Sequence, residues 1–250
     1  MLAILQAGAE QLQSGEDEMQ GELRVAVPSD IGRNVVLPVI TAFCEKNPKL
    51  SLRISLSDHV SDVFHDPVDV AIRYGVLENS SYVALPLAED NRRVLAASPA
   101  YLQQYGRPQQ LEDLLRHHCL LYSLNGHVYD KWSFPENGVK RQLTVSSRML
   151  CDDADVARRW AVAGMGIAYK SWIDVSADVL AGRLEVLLPG RPGEAAPLSL
   201  ICPHRKQFSP AIRELHRLLR EQLKGITALM HTHPAFASRP AAQPSMKPRR

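Results

Sequence analysis

The sequence predicts an α/β fold built as two lobes, and three observations predict it. Short apolar runs with period-two alternation are each followed by a segment with helical spacing, the order that gives parallel sheets covered by helices. Capping and turn residues, such as Pro28-Ser29-Asp30, Ser98-Pro99 and Ser209-Pro210, stand where one kind of segment gives way to the next. The alternation begun before Ser98 then repeats between Ser98 and Arg183, and a last strand and helix follow Leu198. Two lobes joined by two crossovers account for that most simply.

In chain order, Leu2, Leu5, Ala9 and Leu12 fall at helical spacing and the polar stretch Ser14 to Gln20 follows, which reads as an amphipathic helix fraying into a linker that ends at Gly21. Leu23, Val25 and Val27 make a first strand. Pro28-Ser29-Asp30 supplies N-cap residues for a helix from Ile31 to Lys46, with Val36, Val39, Ile40 and Phe43 on one face. Pro38 either kinks this helix or marks a restart. Leu52, Ile54 and Leu56 form a second strand, and strand, helix, strand implies parallel pairing with a right-handed crossover. Val68, Val70 and Ile72 alternate with Asp69, Ala71 and Arg73 in a strand that ends at an Arg73-Tyr74-Gly75 turn.

Val94 to Ala97 is a strand stopped by Ser98-Pro99, which opens a helix to Tyr105. Further elements are expected as a helix around Leu111 to Arg116, strands at Cys119 to Tyr122 and Gln142 to Ser147, a helix from Asp153 to Ala163, a strand at Ile167 to Tyr169 and a helix from Asp174 to Ala181 closed by Gly182. Leu198 to Cys202 is a strand, and Ser209-Pro210 opens a helix to about Leu223 on Ile212, Leu215, Leu218 and Leu219. The crossovers are expected near Arg93 to Ser98 and Pro197 to Cys202. From Thr227 the composition turns proline-rich without periodicity, and that tail is read as disordered.

Composition narrows function. The chain has 250 residues, 45% hydrophobic and 22% charged, as in a soluble globular protein, and its net charge of +2 gives no bulk attraction for nucleic acid. The four cysteines are widely spaced with no CxxC pair, so neither a zinc site nor a disulfide framework is suggested. The first twenty residues lack the basic and long apolar regions of a signal peptide, and no run reaches transmembrane length, so a reducing cytoplasm is the default location. No GxSxG, HExxH, P-loop or paired-carboxylate pattern occurs, and Gly164-Met165-Gly166 follows a helix rather than a strand, the reverse of a dinucleotide fingerprint. Neither catalysis, nor a metal, nor a cofactor is expected.

Ligands of open α/β sheets bind beyond the carboxyl ends of strands, where helix N-termini offer unpaired N–H groups. Pro28-Ser29-Asp30, Ala97-Ser98-Pro99 and Cys151-Asp152-Asp153 meet that description, and from different lobes they would face one another across a cleft. Taken singly, each reads more simply as a helix cap. Arg73 can clamp a carboxylate, although a strand-end arginine paired with Asp69 or Asp58 is the more ordinary reading. His117-His118 reads as a solvated or C-capping pair. Cys151, next to a helix start, is a candidate for a lowered pKa, whereas Cys44 and Cys202 look like core residues.

DVAIRYG, SSYVALPL and VLAASPAYL resemble the effector-binding domain of the LysR-type transcriptional regulators. GELRVAVPSDIGRNVVLPVITAFCEKNP and LSLRISLSD precede them, and LEDLLRHHCL, AVAGMGIAYKS, VLAGRLEVLLPG and LSLICPHRKQFSPAIRELHRLL follow, in the same order as in that family from about Ile4 to Leu223. The resemblance implies two Rossmann-like α/β lobes joined by two crossover strands, of the type 2 periplasmic-binding-protein kind. Residues 21–97 and 198–225 would form lobe I, residues 98–197 lobe II, residues 1–20 the remnant of a linker helix, and residues 226–250 a tail. In the family a winged helix-turn-helix precedes that linker, so DNA contact is expected only through an N-terminal domain that this chain lacks.

The same resemblance implies an effector pocket between the lobes. Carried over residue by residue, it names Ser29, Ser98 and Asp152, with Tyr122, Arg73 and Tyr74 as neighbours. Asp152 and Asp153 depart from the small polar residue often found there, which argues against simple anion binding at that helix start. The implied partners are a small organic acid or similar metabolite and further copies of the chain, as homodimer or tetramer, with no membrane. An antiparallel dimer contact would use the Ile31 to Lys46 and Asp153 to Ala163 helices, near Arg158, Arg159 and Trp160. The rivals are a free-standing solute-binding protein, an enzyme on the same fold and a cysteine-based redox sensor.

Overall fold

A computed structural model describes residues 19–58, 68–75, 82–124, 126–136, 139–202 and 209–236. In lobe I, strand β1 (Gly21–Val27) pairs in parallel with both β2 (Leu50–Leu56) and β3 (Val70–Tyr74). Strand β13 (Leu198–Cys202) is antiparallel to β3 and to β4 (Val83–Ala88), giving the order β2-β1-β3-β13-β4. Lobe II carries β5 (Arg93–Ala97), β6 (Cys119–Leu124), β10 (Leu150–Cys151), β11 (Ile167–Ser171) and β12 (Glu185–Leu187) in the order β10-β6-β11-β5-β12. The short β7 (His127–Val128) pairs with β6, and β8 (Lys131–Glu136) and β9 (Val139–Thr144) form a separate hairpin. Pro135 inside β8 masked that strand in the sequence.

The first helix, α1, runs without a break over 29–46 but changes pitch. Gly32–Val36 is a π-helical turn, with the Leu37 N–H bonded to the Gly32 carbonyl, and the α-helix Leu37–Lys46 resumes after it. Pro38 can donate no N–H and its ring would strike the carbonyl of residue 34 in a regular helix, so the wider turn is what accommodates it. Gly32 is fixed by space: a Cβ there would lie 2.6 Å from Leu56 and 2.7 Å from Val27.

The remaining helices are α2 (Pro99–Tyr105), α3 (Ala154–Val162), α4 (Trp172–Leu180) and α5 (Pro210–Thr232), with a 3₁₀ turn at Leu111–Arg116. Leu23, Val25, Val27, Ile40 and Phe43 build the lobe I core with Ile212, Leu215, Leu219 and Leu223 of α5. Lobe II has a core on each face of its sheet, one around Tyr101, Trp132, Phe134 and Tyr169, the other around Trp172, Val175, Val179 and Leu184. Helix α5 does not stop at Leu223. Ile226 and Met230 continue its apolar face onto lobe II, where the Trp172 indole N–H donates to the Ile226 carbonyl at 2.9 Å and Phe236 meets the Trp172 ring. The part of the expected tail from residue 226 to 232 is therefore helix, and 237–250 and 1–18 lie outside the described residues.

The chain passes between lobes at 89–92 and again at 188–197, so β5 belongs wholly to lobe II and the boundary expected at residues 97/98 moves back. The two passages run side by side. The Asn91 amide donates to the Ala196 carbonyl at 2.6 Å and to Ser171 Oγ at 2.9 Å, while its oxygen accepts from the Ile173 N–H at 3.3 Å.

Leu219→Ala, at a fully buried α5 position, is expected to cost about 2–5 kcal/mol in urea unfolding. Leu229→Ala, on the exposed side of the same helix, is expected to stay within about 0.5 kcal/mol of wild type.

Candidate functional site

Because β1, β2 and β3 are parallel, their carboxyl ends share one edge of lobe I, and β6, β10 and β11 present theirs on the facing edge of lobe II. Between these edges lies a cavity of about 210 Å³. Lobe I lines it with Pro28, Asp30, Ser57, Asp58, Arg73 and Tyr74, and lobe II with Arg93, Tyr122, Leu124 and Ala154.

Two guanidinium groups border the cavity, each on a residue about nine-tenths buried. Arg93 donates to the Tyr122 hydroxyl at 2.7 Å, lies over the Tyr129 ring at 4.5 Å and pairs with Glu194 at 3.6 Å. Burial opposes its charge, yet the surrounding tyrosines outweigh that and hold its pKa above the ordinary value. Arg73, at the end of β3, donates to the Ile72 carbonyl at 3.2 Å. Among the described residues the buried Tyr74 hydroxyl meets no hydrogen-bond partner in ordinary geometry, and burial together with Asp30 and Asp174 pushes its pKa well up. A guanidinium fork flanked by phenolic hydroxyls suits a carboxylate, which accepts charge-assisted bonds from both.

Beneath the cavity, ionic groups join the lobes. Lys170 is fully buried, with Nζ 2.6 Å from Asp30 of lobe I, 3.3 Å from Asp174 and 2.9 Å from the Ala154 carbonyl, and it lies over the Tyr122 ring at 4.6 Å. Arg158 bonds Asp155 at 3.1 Å, Asp178 and the Asn34 oxygen, and Asn34 in turn donates to Asp155 at 2.8 Å. Arg33 reaches across to Asp153 at 2.8 Å. Four buried carboxylates, on Asp30, Asp155, Asp174 and Asp178, thus face two enclosed cations, Lys170 and Arg158. Burial, with the nearby Asp30 charge, pushes the Asp174 carboxyl up to about 7 despite Lys170 and Arg158, and Lys170 is held well above its ordinary value by Asp30 and Asp174.

Of the residues expected at the site, Arg73, Tyr74 and Tyr122 line the cavity. Ser29 sits directly behind it, bonded to Asp58 and to the Ala154 N–H. Ser98 and Asp152 are not brought there. Strand β5 enters lobe II from lobe I and so runs antiparallel to β11, with Arg93 opposite Ser171 at the cleft end and Ala96 opposite Ala168. Its carboxyl end therefore points away from the cleft, where Ser98 caps α2 by accepting from the Tyr101 N–H at 3.2 Å. Asp152 is exposed, and the cap of α3 is Asp153, which accepts from the Asp155 N–H at 2.9 Å.

The expected activation of Cys151 is reversed. Its thiol is half-buried and directed at the Asp153 carbonyl at 3.1 Å, and burial raises its pKa rather than lowering it. His117 closes the 3₁₀ turn and lies 3.0 Å from the Tyr101 hydroxyl. Sequence reasoning missed Arg93 and Lys170, and it gave Asp30 only as part of a helix start and Asp58 only as a partner for Arg73, not as the groups that meet Lys170 and Ala154. A charged residue inside an otherwise apolar strand, as in IAYKS and RVLAA, was the available signal for the first two.

The family model described as "LysR substrate binding domain" matches residues 16–224. The HTH-type transcriptional regulator DmlR of Escherichia coli K12 is 32% identical over 170 residues, 68% of this chain and 55% of that protein. The HTH-type transcriptional activator AaeR of the same organism is 31% identical over 198 residues, 79% of this chain and 63% of that one. The chain thus spans about half to two thirds of the curated relatives it matches. The regulatory domain of CrgA from Neisseria meningitidis superposes with a TM-score of 0.71 at 25% identity, covering 82% of this chain and all of that one. Full-length AphB of Vibrio cholerae shares the fold, with a TM-score of 0.67 at 24% identity over 90% of this chain and 74% of that one.

Lys170→Met leaves two buried carboxylates without their shared cation and is expected to cost about 3–5 kcal/mol in urea unfolding. Asp174 holds its proton more tightly folded than unfolded, so between about pH 4 and pH 7 the folded state binds more protons and this group's contribution falls as pH rises. Unfolding measured at pH 5, 6, 7 and 8 is expected to show that decline in wild type and a shallower one in Asp174→Asn.

Proposed function

This chain belongs to the LysR substrate-binding-domain family, and from that premise we propose that it is the sensing part of a transcriptional regulator whose effector is a small carboxylate held between the lobes. The observation that carries the reading is the interlobe cavity flanked by Arg73 and Arg93, with the Tyr74 and Tyr122 hydroxyls beside them. At about 210 Å³ the cavity lies below the roughly 300–1,000 Å³ of sites for drug-sized ligands, which favours a small organic acid over a nucleotide or peptide.

The effector acts by its different contacts with different lobe angles. A carboxylate that engages Arg73 of lobe I and Arg93 of lobe II together favours one angle over others, and the shift in population passes to paired subunits. The matched relatives are named as HTH-type regulators, so DNA contact is assigned to a helix-turn-helix region distinct from the substrate-binding domain, and a regulator of transcription works in the cytoplasm. For the dimer, α1 and α3 remain the proposed contact. Arg158 is committed to the interlobe ion network, whereas Arg159 pairs with Asp155 from the surface and is largely exposed, which places it at the face of α3 open to a partner.

A thermal-shift screen of small carboxylates, amino acids and aromatic acids tests this, since a ligand bound only by the folded state raises the midpoint. A carboxylate is expected to raise it in wild type, with affinity falling about tenfold or more in Arg93→Gln and in Arg73→Gln. A hit that binds both variants as tightly as wild type would remove the cavity from consideration.

A further inference from the structure

Glu194 stands in the second passage between the lobes, and its polar groups are turned onto lobe II around Arg93. Its N–H donates to the Ser133 carbonyl at 3.0 Å and to the Tyr169 hydroxyl at 2.8 Å, and its carbonyl accepts from the Arg93 N–H at 2.9 Å. One carboxylate oxygen accepts from the Tyr129 hydroxyl and stands 3.6 Å from Arg93 Nε, while the other stands 3.6 Å from Lys140 Nζ. The passage is pressed close to β5 here, since a Cβ on Gly193 would lie 2.4 Å from the Arg93 carbonyl oxygen. The Arg93 guanidinium thus meets the Tyr122 hydroxyl, which lines the cavity, and Glu194, which does not line it and belongs to the passage. The Arg93 side chain is 9% exposed and that of Glu194 27%, so solvent screens this pair far less than the contact with Lys140, whose side chain is 65% exposed.

We propose that Glu194 is the positioning residue of Arg93 and the link by which the second interlobe passage registers whether Arg93 holds a carboxylate. The inference rests on the effector reading above and deepens it. With the cavity empty of anions, Glu194 is the carboxylate that faces the Arg93 charge and draws the passage onto β5. A carboxylate arriving from the cavity brings a second anion to the same guanidinium, and the two anions repel each other across it. Each then holds Arg93 less firmly than it would alone. Because Glu194 is carried by the passage and not by a sheet, its weaker hold loosens the segment that joins the lobes. The coupling is reciprocal: a carboxylate that loosens the passage binds less tightly while Glu194 is charged, and by the same factor.

Amide hydrogen exchange of residues 188–197 in the full chain tests the link, first without any ligand. Glu194→Gln keeps the side-chain shape and an acceptor for Tyr129 while removing the charge. Glu194→Gln and Arg93→Gln are each expected to speed exchange in the passage about threefold or more, and the double variant is expected to go no further than either alone. Lys140→Gln, the control for a surface pair, is expected to stay within about twofold of wild type. Single effects that multiply in the double variant would overturn the proposal. The second arm adds sodium acetate, sodium succinate or sodium benzoate, with sodium chloride at matched ionic strength as control. A carboxylate that binds wild type is expected to speed exchange in the passage, to bind Glu194→Gln about threefold or more tightly, and to leave exchange in that variant unchanged. A carboxylate that binds both chains equally and moves the passage equally in both would remove this inference and leave the effector reading standing. Coupled exchange in the first arm with no carboxylate bound by wild type in the second would remove the effector reading and keep Glu194 as the tie between Arg93 and the passage.

Discussion

Lys170 is wholly enclosed where the lobes meet, and an ammonium group is tolerated there only because carboxylates and a carbonyl replace its hydration. Its partners come from three places: Asp30 from α1 of lobe I, Asp174 from α4 and the Ala154 carbonyl from the first turn of α3. One cation therefore positions the starts of three helices at once. The Ser29 and Asp58 contacts, the Tyr122 ring and the floor of the cavity are arranged around that point. Arg158 extends the cluster to Asp155 and Asp178, and Arg159 and Arg183 reach those two carboxylates from the surface, so each carboxylate around the point has a cation beside it.

The cleft shows how a family of parallel strands makes a site with polarity. Parallel strands gather their carboxyl ends and the following helix starts on one edge, and two such edges opposed give a cavity rich in donors. The guanidinium groups complete it from β3 and from β5, the last parallel strand of one half and the first antiparallel strand of the other. Arg93 is held by Tyr122, Tyr129 and Glu194, which fix the direction of its guanidinium at the cavity.

The order of strands and helices was legible because it rests on local chemistry: alternation in Leu23, Val25 and Val27, the Ser98-Pro99 stop, the Ser209-Pro210 start. Arg73, Tyr74 and Tyr122 came from the family resemblance, and they line the cavity because they stand toward the carboxyl ends of β3 and β6, strands with parallel neighbours. Ser98 was misplaced because strand direction is a property of the whole sheet, and nothing in VLAAS reveals that β5 enters its lobe from the opposite side. Arg93 changed from a residue in a crossover to a residue in the cavity by that same reversal. Lys170, Asp30 and Asp58 find their roles through partners 140 and 96 positions away in the chain, and no window of sequence contains both ends of such a pair. Helix α5 outran its expected end because Gly225 and the change in composition obscured Ile226 and Met230, which continue the apolar stripe.

That extension changes the mechanics of the molecule. Two crossover segments alone would let the lobes swing about them as a door does, with little preference for any angle. By packing Leu215 and Leu219 into one lobe and Met230 and Ile226 against Trp172 of the other, α5 adds a fastening on the side away from the ion pairs that join the lobes under the cavity. A door fastened away from its hinges becomes a sprung joint with a resting position, and departure from that position is resisted by the packing around Trp172. Whatever turns such a joint supplies torque rather than releasing a catch, and a small rotation against a stiff spring stores work in the packing around Trp172.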